Sequence, residues 1–358
     1  MKKIAFLPLA ALLMLASCSN DDEPVRQIPD APVQVVAPVA DDVNYVAPEQ
    51  LEGYTIEGAN DELYRFKYSN GQEIVFTCKP ATMFENERIN VATVRKIEGT
   101  AADVVLPRTF TVKVDDGTTA EWKVVSVDLY TDGVTPTVKT ITWPNTIYAY
   151  YTTEYKAVNS DWMRAQVSKM PGVEKIELEN GFPGFASING AIYTENLKNL
   201  VSVPRGVSGT FTIADDVQTV ETRAFDHCAK IDVITFPASV TKIENDAVQF
   251  TDNLLVVNML PLQAPVAGET AFGLAARNGV LRIPEGSLDS YIVAKPEIEL
   301  PVAPVQPDAE TCTDEEWDNW LVADMEYNEA LAAYNEAMDA YNHTVAYSEF
   351  KTIEQKVF

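Results

Sequence analysis

Three adjacent residues carry the side chains of a nucleophilic thiol site: Asp226, His227 and Cys228. In such a site a histidine base activates the cysteine, and a carboxylate orients the histidine. His227 is also one of only two histidines in the chain. A catalytic trio must converge on one point, whereas adjacent residues on a tight turn point apart. The role of these residues therefore depends on the element that carries them.

The sequence around the trio repeats with a period of about 23 residues. An apolar position recurs at Ile213, Phe236, Met259 and Ile283, with gaps of 23, 23 and 24 residues. Two further sets keep this spacing: Ala224-Phe225, Ala247-Val248 and Ala271-Phe272, and the pair Val217 and Val220 with the pair Val240 and Ile243. Three independent sets that share one period indicate stacked structural repeats.

Each repeat has the pattern of a short strand, a proline and a second apolar pair. In VITFPASVTKIENDAV, Ile234 and Phe236 alternate with their neighbours, and Pro237 ends the strand because proline cannot donate to a ladder. One unit cannot bury its apolar face alone, but stacked units can, with strands about 4.8 Å apart. Weaker copies of the pattern lie upstream at Val105-Leu106-Pro107, Ile141-Trp143-Pro144 and Val201-Val203-Pro204.

This repeat resembles the leucine-rich repeat of the BspA type, which is common in surface proteins of gut and oral bacteria. The resemblance covers residues 97–295 and 347–355, including the terminal motif LRIPEGSLDSYI. The closing element AYSEFKTIEQ has Tyr347 where the family often has tryptophan. The resemblance implies a mainly β fold, a leucine-rich repeat solenoid of units of about 23 residues, and a role in adhesion.

Within this resemblance the thiol trio has a structural explanation. Cys228 lies where the family prefers a small, buried cysteine, and its equivalent in the next unit is Thr251. The equivalent of His227 is Phe250, so the trio does not recur. A free cysteine inside a repeat core behaves as a small hydrophobic residue. We therefore predict no catalytic residue and no cofactor.

The N-terminus has the pattern of a bacterial lipoprotein signal, which we assign to residues 1–17. Lys2 and Lys3 precede an apolar run that is too short to span a bilayer comfortably. The junction LASC resembles a lipobox, which implies lipid on Cys18 and a membrane partner held through that lipid. The acidic cluster SNDDE behind Cys18 resembles the export signal of surface lipoproteins in the Bacteroides group. The alternative is an ordinary signal peptide with an incidental cysteine.

Residues 18–50 are rich in Pro, Val, Ala and Asp without periodicity, which predicts an extended tether. With Cys18 lipidated, three cysteines remain, far apart in sequence: Cys78, Cys228 and Cys312. An odd number argues against a disulfide framework, and no C-x-x-C pair suggests zinc. The carboxylates of DAETCTDEEWDNW lack the alternating spacing of a calcium loop, so we predict no metal site.

Residues 51–96 precede the repeats and predict an N-terminal β cap. Alternating apolar residues flank Asn70-Gly71, which is a hairpin signal. The apolar positions that bracket this turn are Leu63, Phe66, Ile74 and Phe76. We expect this hairpin to cover the open face of the first repeat.

Residues 296–346 interrupt the family pattern, which resumes with a closing element at residues 347–358. Four prolines between 296 and 307 predict an extended linker, and a helix of about thirty residues follows, with Thr313 and Glu316 as its capping box. Between Lys295 and Lys351 there are fourteen acidic residues and no Lys or Arg. An aromatic stripe at helical spacing comprises Trp317, Trp320, Tyr327, Tyr334 and Tyr341. It either packs on the repeats or linker, or forms a docking surface.

Charge and motifs limit the possible functions. The net charge of -26 opposes binding to nucleic acid, because phosphates repel such an acidic surface. No phosphate loop, H-E-x-x-H or G-x-S-x-G motif is present. We predict a non-catalytic outer-membrane lipoprotein, exposed on the cell surface, that binds a protein or glycan. The alternatives are an accessory scaffold that docks through the C-terminal helix and a glycosidase that uses two carboxylates.

Overall fold

The fold was analysed in a computed structural model. It describes residue 29 and residues 33–56, 63–82, 88–113, 118–151, 154–156, 158–273 and 278–358. The predicted signal segment and Cys18 lie outside the described residues. Strands and helices are numbered in chain order.

The N-terminal part forms a six-stranded sheet with the order β1-β2-β3-β4-β7-β6. Its strands are β1 (Gln50–Ile56), β2 (Leu63–Tyr68), β3 (Gln72–Thr82), β4 (Arg88–Gly99), β6 (Thr109–Lys113) and β7 (Thr119–Val127). The predicted hairpin is present: Phe66 pairs with Ile74, and the turn glycine, Gly71, has φ of 86°. The sheet continues past residue 96, because β4 pairs in parallel with β7.

A short parallel ladder follows, formed by three strands of successive units. These strands are β5 (Asp103–Val105), β8 (Thr140–Trp143) and β11 (Lys175–Leu178). Ile141 of the central strand pairs with Val104 on one side and Ile176 on the other, and all three are fully buried. The predicted strands before Pro107 and Pro144 are therefore present. Helix α1 (Ser160–Val167) and the hairpin of β9 (Ala149–Tyr151) and β10 (Glu154–Lys156) lie between β8 and β11.

A second parallel ladder carries the 23-residue repeat. Its strands are β15 (Gly209–Thr212), β17 (Ile231–Phe236), β19 (Val256–Met259), β21 (Val280–Pro284) and β22 (Thr352–Lys356). Thr212 pairs with Thr235, and Phe236 pairs with Met259. The predicted column of Ile213, Phe236, Met259 and Ile283 is fully buried. The 23-residue period is thus the sequence separation between paired residues of adjacent strands in this ladder.

Another sheet packs opposite the second ladder and shares its hydrophobic core; its strand order is β12-β13-β14-β16-β18-β20. Its strands are β12 (Phe185–Ile188), β13 (Ala191–Thr194), β14 (Asn199–Ser202), β16 (Thr219–Val220), β18 (Lys242–Ile243) and β20 (Val266–Ala267). The strand before Pro204, which the sequence marks as a weaker copy of the repeat, lies in this sheet, with Leu200 paired to Val220. The β12–β13 hairpin delivers the chain to this sheet through an antiparallel pairing.

The Ala-Phe positions of the repeat fill the space between the two sheets. Phe225 and Phe272 are buried, and Val248 occupies the intervening position. The ring of Phe272 lies 6.1 Å from that of Phe236, nearly perpendicular to it. Each fully buried side chain of this size contributes about 1.5–3 kcal/mol to stability, so the column is a main source of stability.

Residues 33–49 form no helix or strand, and they lie against the repeats. The amide of Asp215 donates to the carbonyl oxygen of Val36 at 2.9 Å, and Val36 packs on the repeat core. The amide of Asp41 donates to the carbonyl oxygen of Ser187 at 2.8 Å. Backbone hydrogen bonds of this kind explain why the segment is not a free tether. We call residues 33–50 the strap.

The C-terminal insertion follows the short helix α2 (Leu288–Tyr291) and contains helix α3 (Asp314–Ser348). Thr313 caps α3, and its capping box with Glu316 is present as predicted. The helix extends two residues beyond the predicted boundary at 346. The reason is Tyr347, which lies fully buried at the end of α3 with its hydroxyl donating to the carbonyl oxygen of Pro265. The closing strand of the predicted segment is β22, which pairs with β21.

Among the described residues, none of the helices combines the length and apolar character needed to cross a bilayer.

Candidate functional site

The trio at residues 226–228 does not form a nucleophilic site. His227 has φ of 58°, and its half-exposed ring lies 4.4 Å from the ring of Phe250, its equivalent in the next unit, at an interplanar angle of 41°. Its Nδ1 lies 3.0 Å from a carboxylate oxygen of Asp226. Cys228 points the other way, into the core, and is fully buried. Cys228 therefore points away from the Asp226–His227 pair, and the three side chains do not converge on one point.

The surroundings of the Cys228 thiol disfavour its reactivity. Its Sγ lies 3.6 Å from the carbonyl oxygen of Val203 and 3.9 Å from that of Pro204. Burial away from water raises the pKa of the thiol to about 12. Nucleophilic attack needs the thiolate, which hardly exists at neutral pH under these conditions. The equivalent Thr251 is buried in the same way.

A groove beside the trio is the candidate functional site. It has a volume of about 610 Å³ and lies where α1 meets the turns that follow β14, β16 and β18. Its charged lining residues are Asp161, Arg164, Arg205, Arg223, Asp226 and Asp246. Pockets of this size accept a small ligand or a segment of a larger one. The mixture of both charge signs indicates a polar ligand.

Two arginines of the groove are bound by the protein itself. Arg164 Nη1 donates to Glu221 Oε2 at 2.8 Å, and both side chains are largely shielded from solvent. Arg205 pairs with the carboxylate of Asp226 and donates to the carbonyl oxygen of Ser168 at 2.7 Å. Such hydrogen-bonded pairs compensate the desolvation of their charges. They build the groove and tie α1 to the repeats.

Two other groove residues of opposite charge remain available. Arg223 and Asp246 occupy equivalent positions in successive units, with φ of 57° and 59°. Arg223 is exposed and Asp246 half-buried, and neither side chain has a hydrogen bond or ion pair within the described residues. Non-glycine residues in this left-handed region cost about 1–3 kcal/mol. The lining of the groove thus includes two charged side chains from successive units that have no partner among the described residues.

A shallower groove of about 470 Å³ lies between α3 and the sheet of β18 and β20. Asn342 and His343 form its helix side, and Lys242 and Glu244 line the opposite side. Although desolvation opposes it, hydrogen bonds from Lys242 and from the amide of Thr222 lower the pKa of Glu244. Glu244 is therefore committed to the turn that it stabilises.

The predicted aromatic stripe of α3 lies on one face and is half-buried at every position. Its members are Trp317, Trp320, Tyr327, Tyr334 and Tyr341. The rings of Trp317 and Trp320 are 5.3 Å apart. The indole Nε1 of Trp320 is shielded from solvent without an acceptor among the described residues. The stripe is therefore partly covered within the chain itself.

The proline linker has a matching half-buried face. Pro301, Pro304 and Pro307 are half-buried, whereas the intervening Val302 and Val305 are 90% and 92% exposed. A three-residue period is that of a polyproline II helix. These burial patterns favour the prediction that the stripe packs on the linker, which leaves the other face of the insertion outermost.

No group of three or more His, Cys, Asp or Glu side chains in the described part of the chain has a geometry that could hold a metal ion. Cys18 lies outside the described residues, so its lipidation stays a prediction.

Sequence reasoning singled out the trio but missed the groove next to it. The groove is assembled from α1, the turn after Pro204 and two repeat turns, which are up to 85 residues apart. No local motif connects these residues. The usable signal was the equivalence of Arg223 and Asp246, one unit apart just before Ala224 and Ala247.

No protein family profile matches the chain, and no curated protein matches it. Among solved structures, the chain is similar to the pneumococcal vaccine antigen PcpA, with 9% identity, a TM-score of 0.23, and coverage of 63% of this chain and 94% of that one. It is similar to a leucine-rich cell surface protein of Faecalibacterium prausnitzii, with 12% identity, a TM-score of 0.26, and coverage of 62% and 88%.

A third structure, a leucine-rich repeat protein of Eubacterium ventriosum, has 14% identity and a TM-score of 0.24, with coverage of 66% of this chain and 80% of that one. TM-scores of this size are too low to establish a shared fold. The repeat architecture of this chain therefore rests on its own strand registers.

Proposed function

We propose that this protein is a lipid-anchored, surface-exposed interaction protein, with a leucine-rich repeat solenoid of the BspA type that binds a protein ligand. The single observation that carries the proposal is the groove in which successive repeats present Arg223 and Asp246. A rigid stack of repeats can hold such charges in fixed positions, which suits recognition of an extended partner.

The chemistry of the groove supports a peptide segment as the ligand. Charges of both signs lie on adjacent units, and strands of adjacent units are about 4.8 Å apart. An extended peptide with an acidic and a basic side chain fits this arrangement. Cys228, the candidate nucleophile, is buried and protonated, which supports a non-catalytic role.

The full mature chain, applied to matrix-protein and glycan arrays, tests this proposal. Arg223→Glu should weaken capture of a protein ligand by about tenfold or more, because a charged contact becomes repulsive. Lys230→Glu is the matched control, since Lys230 is exposed in the same unit but does not line the groove. Equal effects of both substitutions, or capture of glycans alone, would refute a peptide-binding groove.

Surface exposure is tested on intact cells with protease and with a specific antibody. We expect both to reach the protein, and Cys18→Ala should release it from the membrane fraction. A protein that stays hidden until the cells are broken would contradict the proposed location.

A second candidate function is favoured by the outer face of the insertion. Large apolar side chains are exposed in the insertion, whose sequence has no Lys or Arg; they are Ile298, Leu300, Val302, Val305, Leu321, Val322 and Met325. An exposed apolar face of this kind is typical of a docking surface. The insertion would then act as the arm of an accessory scaffold.

Deletion of residues 296–345 separates the two functions. The deletion keeps Tyr347 and β22, so the repeats should still fold, as checked by circular dichroism and urea unfolding. Loss of a partner from the folded deletion variant supports the arm, whereas unchanged binding assigns the ligand to the repeats.

A further inference from the structure

The contacts of Pro29, Val36, Asp41 and Tyr45 fall on progressively earlier parts of the chain. Pro29, just before the strap, accepts a hydrogen bond from Arg282 Nη1 at 2.8 Å, in strand β21 near the C-terminal end of the ladder. Val36 then bonds to Asp215, after β15. The chain therefore moves away from the last units as its residue number rises.

The next contacts continue in the same direction. The carboxylate of Asp41 accepts from the amides of Asn189 and Gly190, at 3.0 and 3.3 Å. Both amides belong to the β12–β13 turn, where Asn189 and Gly190 have positive φ. One carboxylate that accepts two amides is a strong fixing point, because charge-assisted hydrogen bonds are roughly twice as strong as neutral ones.

The strap ends at the N-terminal sheet. The hydroxyl of Tyr45 donates to the carbonyl oxygen of Leu106 at 2.8 Å, and the guanidinium of Arg108 lies 4.4 Å above its ring. Burial raises the pKa of Tyr45 to about 12, so the hydroxyl keeps its proton and its donor role. Gln50 then exchanges two hydrogen bonds with the backbone of Thr111.

We infer that the strap fixes the orientation of the protein on the membrane. The last repeats lie near the bilayer, and the N-terminal six-stranded sheet, which begins with β1, lies farthest from it. This inference rests on the proposed lipid at Cys18. Cys18 and Pro29 are 11 residues apart. A fully extended chain of that length spans at most about 36–40 Å, so the lipid holds the Arg282 end within this distance of the membrane.

The orientation has a consequence for recognition. The strap carries the chain past the repeats before β1 begins, so the six-stranded sheet faces the surroundings and not the cell. The groove of Arg223 and Asp246 lies between the two ends of the strap path, since its residues come from units between those of Arg108 and Arg282. Partners would thus approach from the side or from the sheet end.

Energy transfer from labelled positions to a dye on lipid headgroups tests the orientation. The full lipidated chain carries Cys312→Ser, which leaves Cys78 and Cys228, both buried, and the lipidated Cys18. A donor dye is placed on Glu285→Cys, beside the last units, or on Lys113→Cys, at the edge of the six-stranded sheet; both positions are exposed. Vesicles of phosphatidylethanolamine and phosphatidylglycerol carry the acceptor.

We expect transfer from position 285 to exceed transfer from position 113 severalfold. Equal transfer, or the reverse order, would overturn the orientation while leaving the lipid anchor intact. Absence of vesicle binding would instead remove the lipid anchor, and the orientation with it.

Hydrogen exchange tests the strap independently of the lipid. Asp41→Ala should accelerate exchange of the Asn189 and Gly190 amides several-fold in the otherwise folded chain. Glu195→Ala, an exposed acidic residue just after the same hairpin, is the matched control and should change neither amide. Unchanged exchange in the Asp41 variant would show that the strap is not held there.

Discussion

Phe236 and Met259 are direct partners in adjacent parallel strands, although they are 23 residues apart in sequence. Both side chains are fully buried, in line with Ile213 and Ile283. This pairing is the element on which the repeat architecture depends, because it converts a sequence period into a physical stack.

Truncation at this pairing should cost much of the stability of the protein. Phe236→Ala removes a fully buried ring and is expected to lower the free energy of unfolding by about 3–5 kcal/mol. Phe250→Ala is the control, since Phe250 is 43% exposed on the turn row outside the column. Urea unfolding measures both. Similar losses for the two variants would contradict the stacked core.

Cys228 should resist thiol reagents in the native protein. Its buried thiol has a raised pKa, so little thiolate is available between pH 7 and pH 9. We expect Cys228 to be labelled only after denaturation. Mass spectrometry of the digested chain measures the labelling. His227→Ala should not change this rate. Rapid native labelling that depends on His227 would revive the catalytic interpretation.

The cap of α3 should be sensitive to acid. Hydrogen bonds from the backbone and the hydroxyl of Thr313 lower the pKa of Glu316 below the ordinary carboxyl value of 4.5. A carboxyl with a lowered folded pKa stabilises the folded state fully above its unfolded pKa, and this contribution is lost as the pH falls through the folded value. Helicity at 222 nm should therefore decrease below pH 4.5.

Glu316→Gln provides the matched control for this experiment, because the amide can still accept the bonds but does not titrate. The difference in helicity between the parent and Glu316→Gln isolates the contribution of this carboxyl from that of the other acidic residues. A difference that does not depend on pH would contradict the assigned role.

Tyr347 should couple the insertion to the repeats. Tyr347→Phe leaves the carbonyl oxygen of Pro265 without its donor and should lower stability by about 1–3 kcal/mol. Tyr347→Ala also removes ring contacts with Phe272 and Tyr291, at 5.6 and 5.0 Å, and should cost about 3–5 kcal/mol. Thermal unfolding of both variants shows which substitution lowers stability more. An equal effect would mean that the ring contributes nothing beyond its hydroxyl.

The sequence predicted the features that depend on regular spacing or on short local motifs. The column of Phe236, the hairpin at Gly71 and the cap at Thr313 each depend on local spacing, and each is present. The pattern also marked the strand before Pro204, but local spacing does not determine which sheet this strand joins.

Contacts between residues far apart in the sequence could not be predicted from local patterns. Nothing local in residues 33–50 predicts that Asp41 caps a turn near residue 189 or that Tyr45 reaches Leu106. Their composition is that of a linker, and only the folded repeats supply the partners. The same limit applies to the groove, whose two free charges become neighbours only when the units stack.

The closing strand β22 also has a kinetic consequence. Leu281 pairs with Ile353, so the last rung of the ladder forms only after the whole insertion has been made. Pro29 must likewise wait for Arg282 to appear before its contact can form. The fold is therefore completed late, by strands and contacts from both ends of the described chain. A chain that stops before Thr352 would expose the open edge of β21 to neighbouring molecules, and would be prone to aggregation.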